Sequence, residues 1–277
     1  MAHIRHTASQ ANDLQKARPV PRGGIPSAFL PQLSSGPGTV RPTRCSPLTS
    51  PVQTVPEAAH PTPLPPVAKA DILQSIRKQK VIALIRADNS ESLLECARAL
   101  AAGGLTIIEL TMTTPNAIEV LAKVSRELPE VTIGLGTVLD AATANEGVDK
   151  GAKFIVTPGI RPEVISTCRD MGVPILSGAL TPTEVANAWD LGAHVIKIFP
   201  AEFFGPAYIK SLKGPFPKIE LLPTGGVTPQ TVGEFLRAGA FATAAGSSLI
   251  APAALKARDW AAITARAREF VEAASKA

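Results

Sequence analysis

A single lysine, Lys197, stands inside the run His194-Val195-Ile196-Lys197-Ile198-Phe199-Pro200, which is otherwise almost wholly apolar. Lysine is rarely fully buried, so this one is either a functional group or a strand-end residue reaching back to solvent. Burial disfavours the ammonium form, and a neutral amine on a dry strand can attack a ketone to form an imine. Glu109 occupies the same kind of setting in Thr106-Ile107-Ile108-Glu109-Leu110-Thr111. A carboxyl held there can take up and return a proton, or it can serve as the structural partner of a nearby cation. Arg86 ends the apolar run Val81-Ile82-Ala83-Leu84-Ile85. Its planar guanidinium can grip a carboxylate through two parallel hydrogen bonds, or pair with Glu109.

Two glycine-bearing segments suggest a place for an anion: Pro223-Thr224-Gly225-Gly226-Val227 and Ala245-Gly246-Ser247-Ser248. Their bare backbone N–H groups can converge on a phosphate, unless the glycines only permit tight turns. Histidine is informative by its scarcity. His3, His6 and His60 stand near the N-terminus, leaving only His194, at the start of a strand and best read as structural. Neither a multi-histidine zinc site nor a Ser-His-Asp triad can be built from it. The three cysteines, Cys45, Cys96 and Cys168, are far apart and odd in number, with no metal spacing or disulfide framework, which fits a reducing compartment. The expectation is chemistry with no metal and no cofactor.

The elements that must position these groups are legible from residue 71 onward. Short β-branched runs alternate there with Ala/Leu-rich segments of helical period. Strands are expected at 81–86, 106–112, 132–138, 154–158, 174–179, 194–200, 220–225 and 241–250. Helices are expected at 90–102, 115–128, 141–150, 162–171, 182–191, 206–213, 229–238 and 259–275. Pro115, Pro162, Pro182, Pro206 and Pro229 stand at helix starts, and Gly103, Gly151, Gly172, Gly192 and Gly239 punctuate ends. Eight strand–helix units in about 200 residues close a (β/α)8 TIM barrel, whose reacting groups sit at the C-terminal ends of the strands. An open doubly wound sheet would be the alternative, but no strand is followed by the GxGxxG turn of its dinucleotide-binding version. Aromatic residues make up only 4% of the chain, so the core must be built from Ala, Val, Ile and Leu, as in such a barrel.

Residues 1–70 differ in kind. They hold 13 of the 26 prolines, and seven Lys/Arg against two acids, leaving 21 charges of each sign in 71–277. The net charge of +5 therefore belongs to a leader. No basic stripe remains on the globular part to bind nucleic acid, and no apolar run is long enough to cross a membrane. The leader reads as disordered. It is acid-poor and bears Ser and Arg, like an organelle transit peptide. A plastid is the expected destination, with mitochondrion or cytoplasm as alternatives, and processing is expected near Val40-Arg41-Pro42-Thr43-Arg44-Cys45-Ser46.

Taken in order, several stretches resemble the 2-keto-3-deoxy-6-phosphogluconate (KDPG) / 4-hydroxy-2-oxoglutarate (KHG) aldolase family. They are Val81-Ile82-Ala83-Leu84-Ile85-Arg86, Ile108-Glu109-Leu110-Thr111, Gly134-Leu135-Gly136-Thr137-Val138, Phe154-Ile155-Val156-Thr157-Pro158-Gly159, Thr181-Pro182-Thr183-Glu184, Lys197-Ile198-Phe199-Pro200-Ala201, Lys213-Gly214-Pro215-Phe216-Pro217, Pro223-Thr224-Gly225-Gly226-Val227 and Gly246-Ser247. Each is weak alone; nine in order at the strand ends are specific. The resemblance implies a homotrimeric class I aldolase acting on a small-molecule substrate. Lys197 would form a Schiff base with the C2 ketone, and Glu109 would act as general acid and base. Arg86 and Thr137 would hold the substrate carboxylate, and Thr224, Pro158 and Phe199 would line the substrate. Gly225, Gly226, Gly246 and Ser247 would receive its phosphate. The products would be pyruvate and glyceraldehyde 3-phosphate, or pyruvate and glyoxylate from unphosphorylated KHG. A non-catalytic phosphate-binding barrel and a phosphosugar isomerase or synthase are the other readings. Two departures stand out. Some relatives carry an arginine where this chain has Thr113, and several have Pro-Gly where it has Ser177-Gly178. The Ser177 hydroxyl could meet a substrate oxygen or simply relax the turn.

Overall fold

The computed structural model describes residues 66–277; the expected leader, its processing stretch, Cys45, His3, His6 and His60 lie outside the described residues. Eight parallel strands form one sheet: β1 (Val81–Ile85), β2 (Ile107–Thr111), β3 (Thr132–Gly136), β4 (Ile155–Val156), β5 (Ile175–Ala179), β6 (Val195–Ile198), β7 (Leu221–Pro223) and β8 (Thr243–Ala245). From β1 to β7 each pairs with the next along the chain, and β1 also pairs with β8. A single bridge from Thr224, just past β7, to Ala244 on β8 completes the circle. Apolar residues alternate in two sets. Ile82, Ile107, Phe154, Val156, Leu176, Val195 and Leu222 fill the barrel, and their neighbours Val81, Ile108, Ile155, Ile175 and Ile196 pack under the helices. This alternation follows from the two-residue period of a strand buried on both faces.

The helices are α1 (Pro66–Gln79), α2 (Leu93–Ala102), α3 (Ala117–Glu127), α4 (Ala141–Asp149), α5 (Pro162–Asp170), α6 (Pro182–Asp190), α7 (Gly205–Lys213), α8 (Val232–Arg237), α9 (Pro252–Ala257) and α10 (Trp260–Ser275). Local chemistry starts several of them. Asp140 and Asp259 accept N–H bonds from the first turns of α4 and α10, and Thr181 with Glu184 closes a capping box on α6.

The structure differs from expectation at both ends. Helix α1 was not anticipated, and the expected domain boundary at residue 71 falls inside it. Ile76 on α1 is fully buried with the barrel-filling residues, where Ile72 and Leu73 also pack. Gln79 accepts hydrogen bonds from the N–H and hydroxyl of Thr106, tying α1 to the entry of β2. At the other end, the strand expected at 241–250 stops after Ala245. Leu249 and Ile250 both donate backbone bonds to the Gly246 carbonyl, turning the chain. Their side chains enter the outer core, and Pro252 then opens α9.

Candidate active site

Lys197 and Glu109 are 88 residues apart in sequence, yet β6 and β2 aim both side chains into the barrel. Lys197 Nζ donates to Glu109 Oε1 at 3.2 Å. Glu109 is fully buried and Lys197 is 6% exposed. Glu109 Oε2 is the only buried side-chain polar atom among the described residues that lacks a hydrogen-bond partner. An orphaned buried acceptor of this kind is costly, and it marks where a substrate or water oxygen belongs.

Glycines create the room. The Cβ of an alanine at Gly136 would overlap the Glu109 carboxylate, and one at Gly134 would strike the Phe154 ring. Gly178 is the register partner of Lys197, and its bare face is filled by the Pro158 carbonyl. Gly136 on β3 is thus a steric condition for the Lys197–Glu109 contact, while Gly134 and Gly178 make room for Phe154 and Pro158.

The other expected residues ring the same end of the barrel. Arg86 leaves β1 exposed and makes no ion pair with any described residue; Glu109 takes Lys197 as its partner instead. Thr137, directly after β3, is half-buried with φ of 60°, a left-handed conformation strained for a β-branched residue. Pro158 is exposed at the exit of β4, and Phe199 stands two residues beyond Lys197 with 45% of its surface exposed. Thr224 is buried, with its N–H on the Ile198 carbonyl and its own carbonyl accepting from Ala201.

Gly225 and Gly226 have φ of 98° and 69°, which only glycine adopts without strain. Their Cβ directions are closed by Glu202, whose Oε2 lies 2.9 Å from the position a Gly225 Cβ would take. Gly246 faces more open space, with Leu84 Cδ2 3.6 Å from its Cβ position. The N–H groups of Gly225, Gly226 and Ser247 donate to no acceptor among the described residues. Three free donors at adjacent strand ends suit an anion. Sequence reasoning missed Ser248, whose hydroxyl donates to the Val227 carbonyl and ties these two ends together. It also missed Thr114, whose hydroxyl accepts the Ala87 N–H next to Arg86 at 3.2 Å. Neither had a signal beyond being a hydroxyl in a loop.

The structure decides the role of Ser177. It pairs in register with Ile196, whose side chain packs in the outer core, so its hydroxyl faces the helices. There it accepts from Thr157 Oγ1 at 3.4 Å, while Thr157 Oγ1 accepts the Gly178 N–H at 3.3 Å. Ser177 links β4 to β5 and faces away from Lys197 and Glu109.

His194 is structural, as expected. Its Nδ1 accepts the Ile175 N–H at 3.2 Å. Burial, with Lys69 and Arg169 nearby, holds its pKa down at about 4. Cys96 and Cys168 are buried, and burial pushes both thiols up to about 12, so they are inert. No cluster of metal-binding side chains occurs among the described residues. Two cavities lie elsewhere: about 420 Å³ beside Arg237, Glu269 and Lys276, and about 640 Å³ near Lys78, Lys80 and Glu130. Neither contains an unsatisfied buried polar atom, so the Lys197–Glu109 centre is the stronger candidate.

Comparison with known proteins agrees with this geometry. Residues 72–266 match the family model for KDPG and KHG aldolase. The chain is 36% identical to a 2-dehydro-3-deoxy-phosphogluconate aldolase of Pseudomonas aeruginosa, over 71% of this chain and 90% of the relative. It is 32% identical to the KHG/KDPG aldolase of Escherichia coli, over 70% and 92%. Among solved structures, the KDPG aldolase of Legionella pneumophila, with pyruvate captured as a covalent carbinolamine, superposes with a TM-score of 0.67. It shares 28% identity over 72% of this chain and 97% of that one. With the family model spanning most of the barrel and relatives matched over nearly their full length, this chain belongs to the KDPG and KHG aldolase family.

Proposed function

We propose that this protein is a class I aldolase that cleaves 2-keto-3-deoxy-6-phosphogluconate to pyruvate and glyceraldehyde 3-phosphate. The observation that carries the reading is the buried contact between Lys197 Nζ and Glu109 Oε1, with Oε2 left free. A proton passed from the ammonium to the carboxylate leaves a neutral amine next to an acid. The amine adds to the C2 carbonyl, and loss of water from the carbinolamine gives the protonated imine. Glu109, ionised again, removes the C4 hydroxyl proton. The C3–C4 electrons flow into the imine as the aldehyde departs, leaving an enamine. Protonation at C3 by Glu109 and attack of water on the imine then release pyruvate and restore Lys197. Arg86 and Thr137 hold the carboxylate end, Thr224, Pro158 and Phe199 line the passage, and Gly225, Gly226, Gly246 and Ser247 hold the phosphate.

The same centre serves unphosphorylated 4-hydroxy-2-oxoglutarate as a second substrate, a reading favoured by the double name of the E. coli relative. We also propose a homotrimer. Its support is apolar surface at the catalytic end: Phe203 is 77% exposed, Phe204 46% and Leu139 47%. Plastid targeting by residues 1–70 is supported by their acid-poor, Ser- and Arg-bearing composition. A reporter fused to this segment should enter the organelle, and a diffuse cytosolic signal would refute the targeting.

The test of the activity is pyruvate release by the purified protein from the two candidate substrates. Release from the phosphorylated acid, at a higher kcat/KM than from 4-hydroxy-2-oxoglutarate, is expected. No pyruvate from either would overturn the aldolase reading.

A further inference from the structure

We propose that Thr114 is a positioning residue for recognition of the substrate carboxylate, acting through Arg86. This rests on the aldolase reading above, and assigns a task to a side chain that need not touch the substrate. The register of β1 with β2 ends at Ile85 and Leu110, one residue before Arg86. Beyond it, the next tie between the two strand exits is the bond from the Ala87 N–H to Thr114 Oγ1. Arg86 is thus clamped on both sides, by the sheet before it and by Thr114 after it.

The clamp is itself held. Residues 111–114 form a turn in which the Thr114 N–H donates to the Thr111 carbonyl at 3.0 Å. Within it, Thr111 and Thr113 share a hydroxyl–hydroxyl bond of 3.0 Å. Thr114 is 2% exposed, so its hydroxyl does not exchange freely between Ala87 and water. The Arg86 guanidinium has no carboxylate partner among the described residues, so its backbone is what orients it. A long side chain needs a fixed base if two parallel hydrogen bonds are to form without a large loss of freedom. Thr114 provides that base.

The experiment uses the full chain and reads two quantities. One is the pyruvate concentration that half-saturates borohydride trapping on Lys197; the other is kcat and KM for the phosphorylated substrate. Thr114→Val should raise the half-saturating pyruvate concentration and KM by about 5- to 10-fold, the scale of one lost hydrogen bond. Its kcat should stay near wild type, because the lost interaction is uniform binding. Thr114→Ser, which keeps the hydroxyl, should restore both constants. In an Arg86→Ala background, Thr114→Val should change little further, since residues acting through one contact are not additive. Thr114→Ala replaces the valine variant if that one does not fold. An equal loss in both backgrounds, a loss confined to kcat, or wild-type constants in Thr114→Val would each overturn the positioning role while leaving the aldolase intact. Absence of any trapped pyruvate in the wild type would overturn the aldolase reading, and the role of Thr114 with it.

Discussion

Gly136 lies against the carboxylate of Glu109 so closely that an alanine Cβ there would overlap Oε1, with Cγ and Cδ only 2.6 Å away. Three atoms of Glu109 are involved, so a small rotation at its tip does not relieve the clash. Gly136→Ala should therefore push the carboxylate off Lys197 while leaving the outer core intact. Turnover should fall by about 10²-fold, the scale of a 1 Å misplacement of a reacting group. Thermal unfolding and kcat on the same preparation check this; wild-type turnover would show that Glu109 has room to spare.

Lys197 should be the residue that pyruvate marks. Trapping with borohydride should add the reduced three-carbon unit to the peptide containing Lys197, read by mass spectrometry. Lys197→Arg should abolish turnover, because a guanidinium stays protonated. Labelling of Lys153, in the turn before β4, or of Lys210, on α7, would refute the assignment.

Glu109→Gln keeps the shape of the side chain and removes its proton chemistry. Imine formation should persist, while cleavage slows by about 10²–10⁴-fold for lost acid–base assistance. Single-turnover trapping compared with steady-state pyruvate release separates the two steps. Unchanged release would leave Glu109 a structural partner of Lys197.

The anion cradle should discriminate between substrates. Ser247→Ala keeps that backbone N–H but removes the exposed hydroxyl beside it, a further donor to the phosphate, and should lower kcat/KM for the phosphorylated acid by about 10- to 100-fold, the scale of one hydrogen bond to a charged group. Gly226→Val should do more damage, because φ of 69° strains a β-branched residue and Glu202 fills the space its Cβ needs. Activity on 4-hydroxy-2-oxoglutarate should survive Ser247→Ala. Equal losses on both substrates would reduce these strand ends to structural turns.

His194 should make the fold sensitive to acid. Its pKa in the folded protein is about 4, against 6.5 for an unperturbed histidine. Between those values the unfolded chain binds a proton that the folded chain refuses. Stability from this group is therefore complete above about pH 6.5 and is lost as pH falls toward 4. The loss should be about 1 kcal/mol after discounting for partial exposure. Urea midpoints at pH 7.5 and 4.5 measure it, and His194→Asn should show a smaller difference between the two.

Much of this was readable before any coordinates. Lys197 and Glu109 stood out because a charge inside an apolar run is a local anomaly, visible within seven residues. The eight strand–helix units were legible for the same reason: alternation of period is a property of short windows. Helix α1 escaped because its apolar residues, Ile72, Leu73 and Ile76, have meaning only against the barrel floor they close. The strand expected at 241–250 ran long because Leu249 and Ile250 are apolar in either setting, and only the turn on the Gly246 carbonyl sends them into the outer core.

The sequence by itself singled out which groups could do chemistry, since residue type and immediate neighbours suffice for that. Only the tertiary structure decided which of them meet. Closure of the sheet brings Lys197 to Glu109 across 88 residues, and register turns Gly178 inward and Ser177 outward. It also sets Glu202 behind Gly225 and joins Thr114 to the residue after Arg86. Such contacts depend on strand order and a one-residue parity. A single chain does not display either until its two edge strands have met through Thr224 and Ala244.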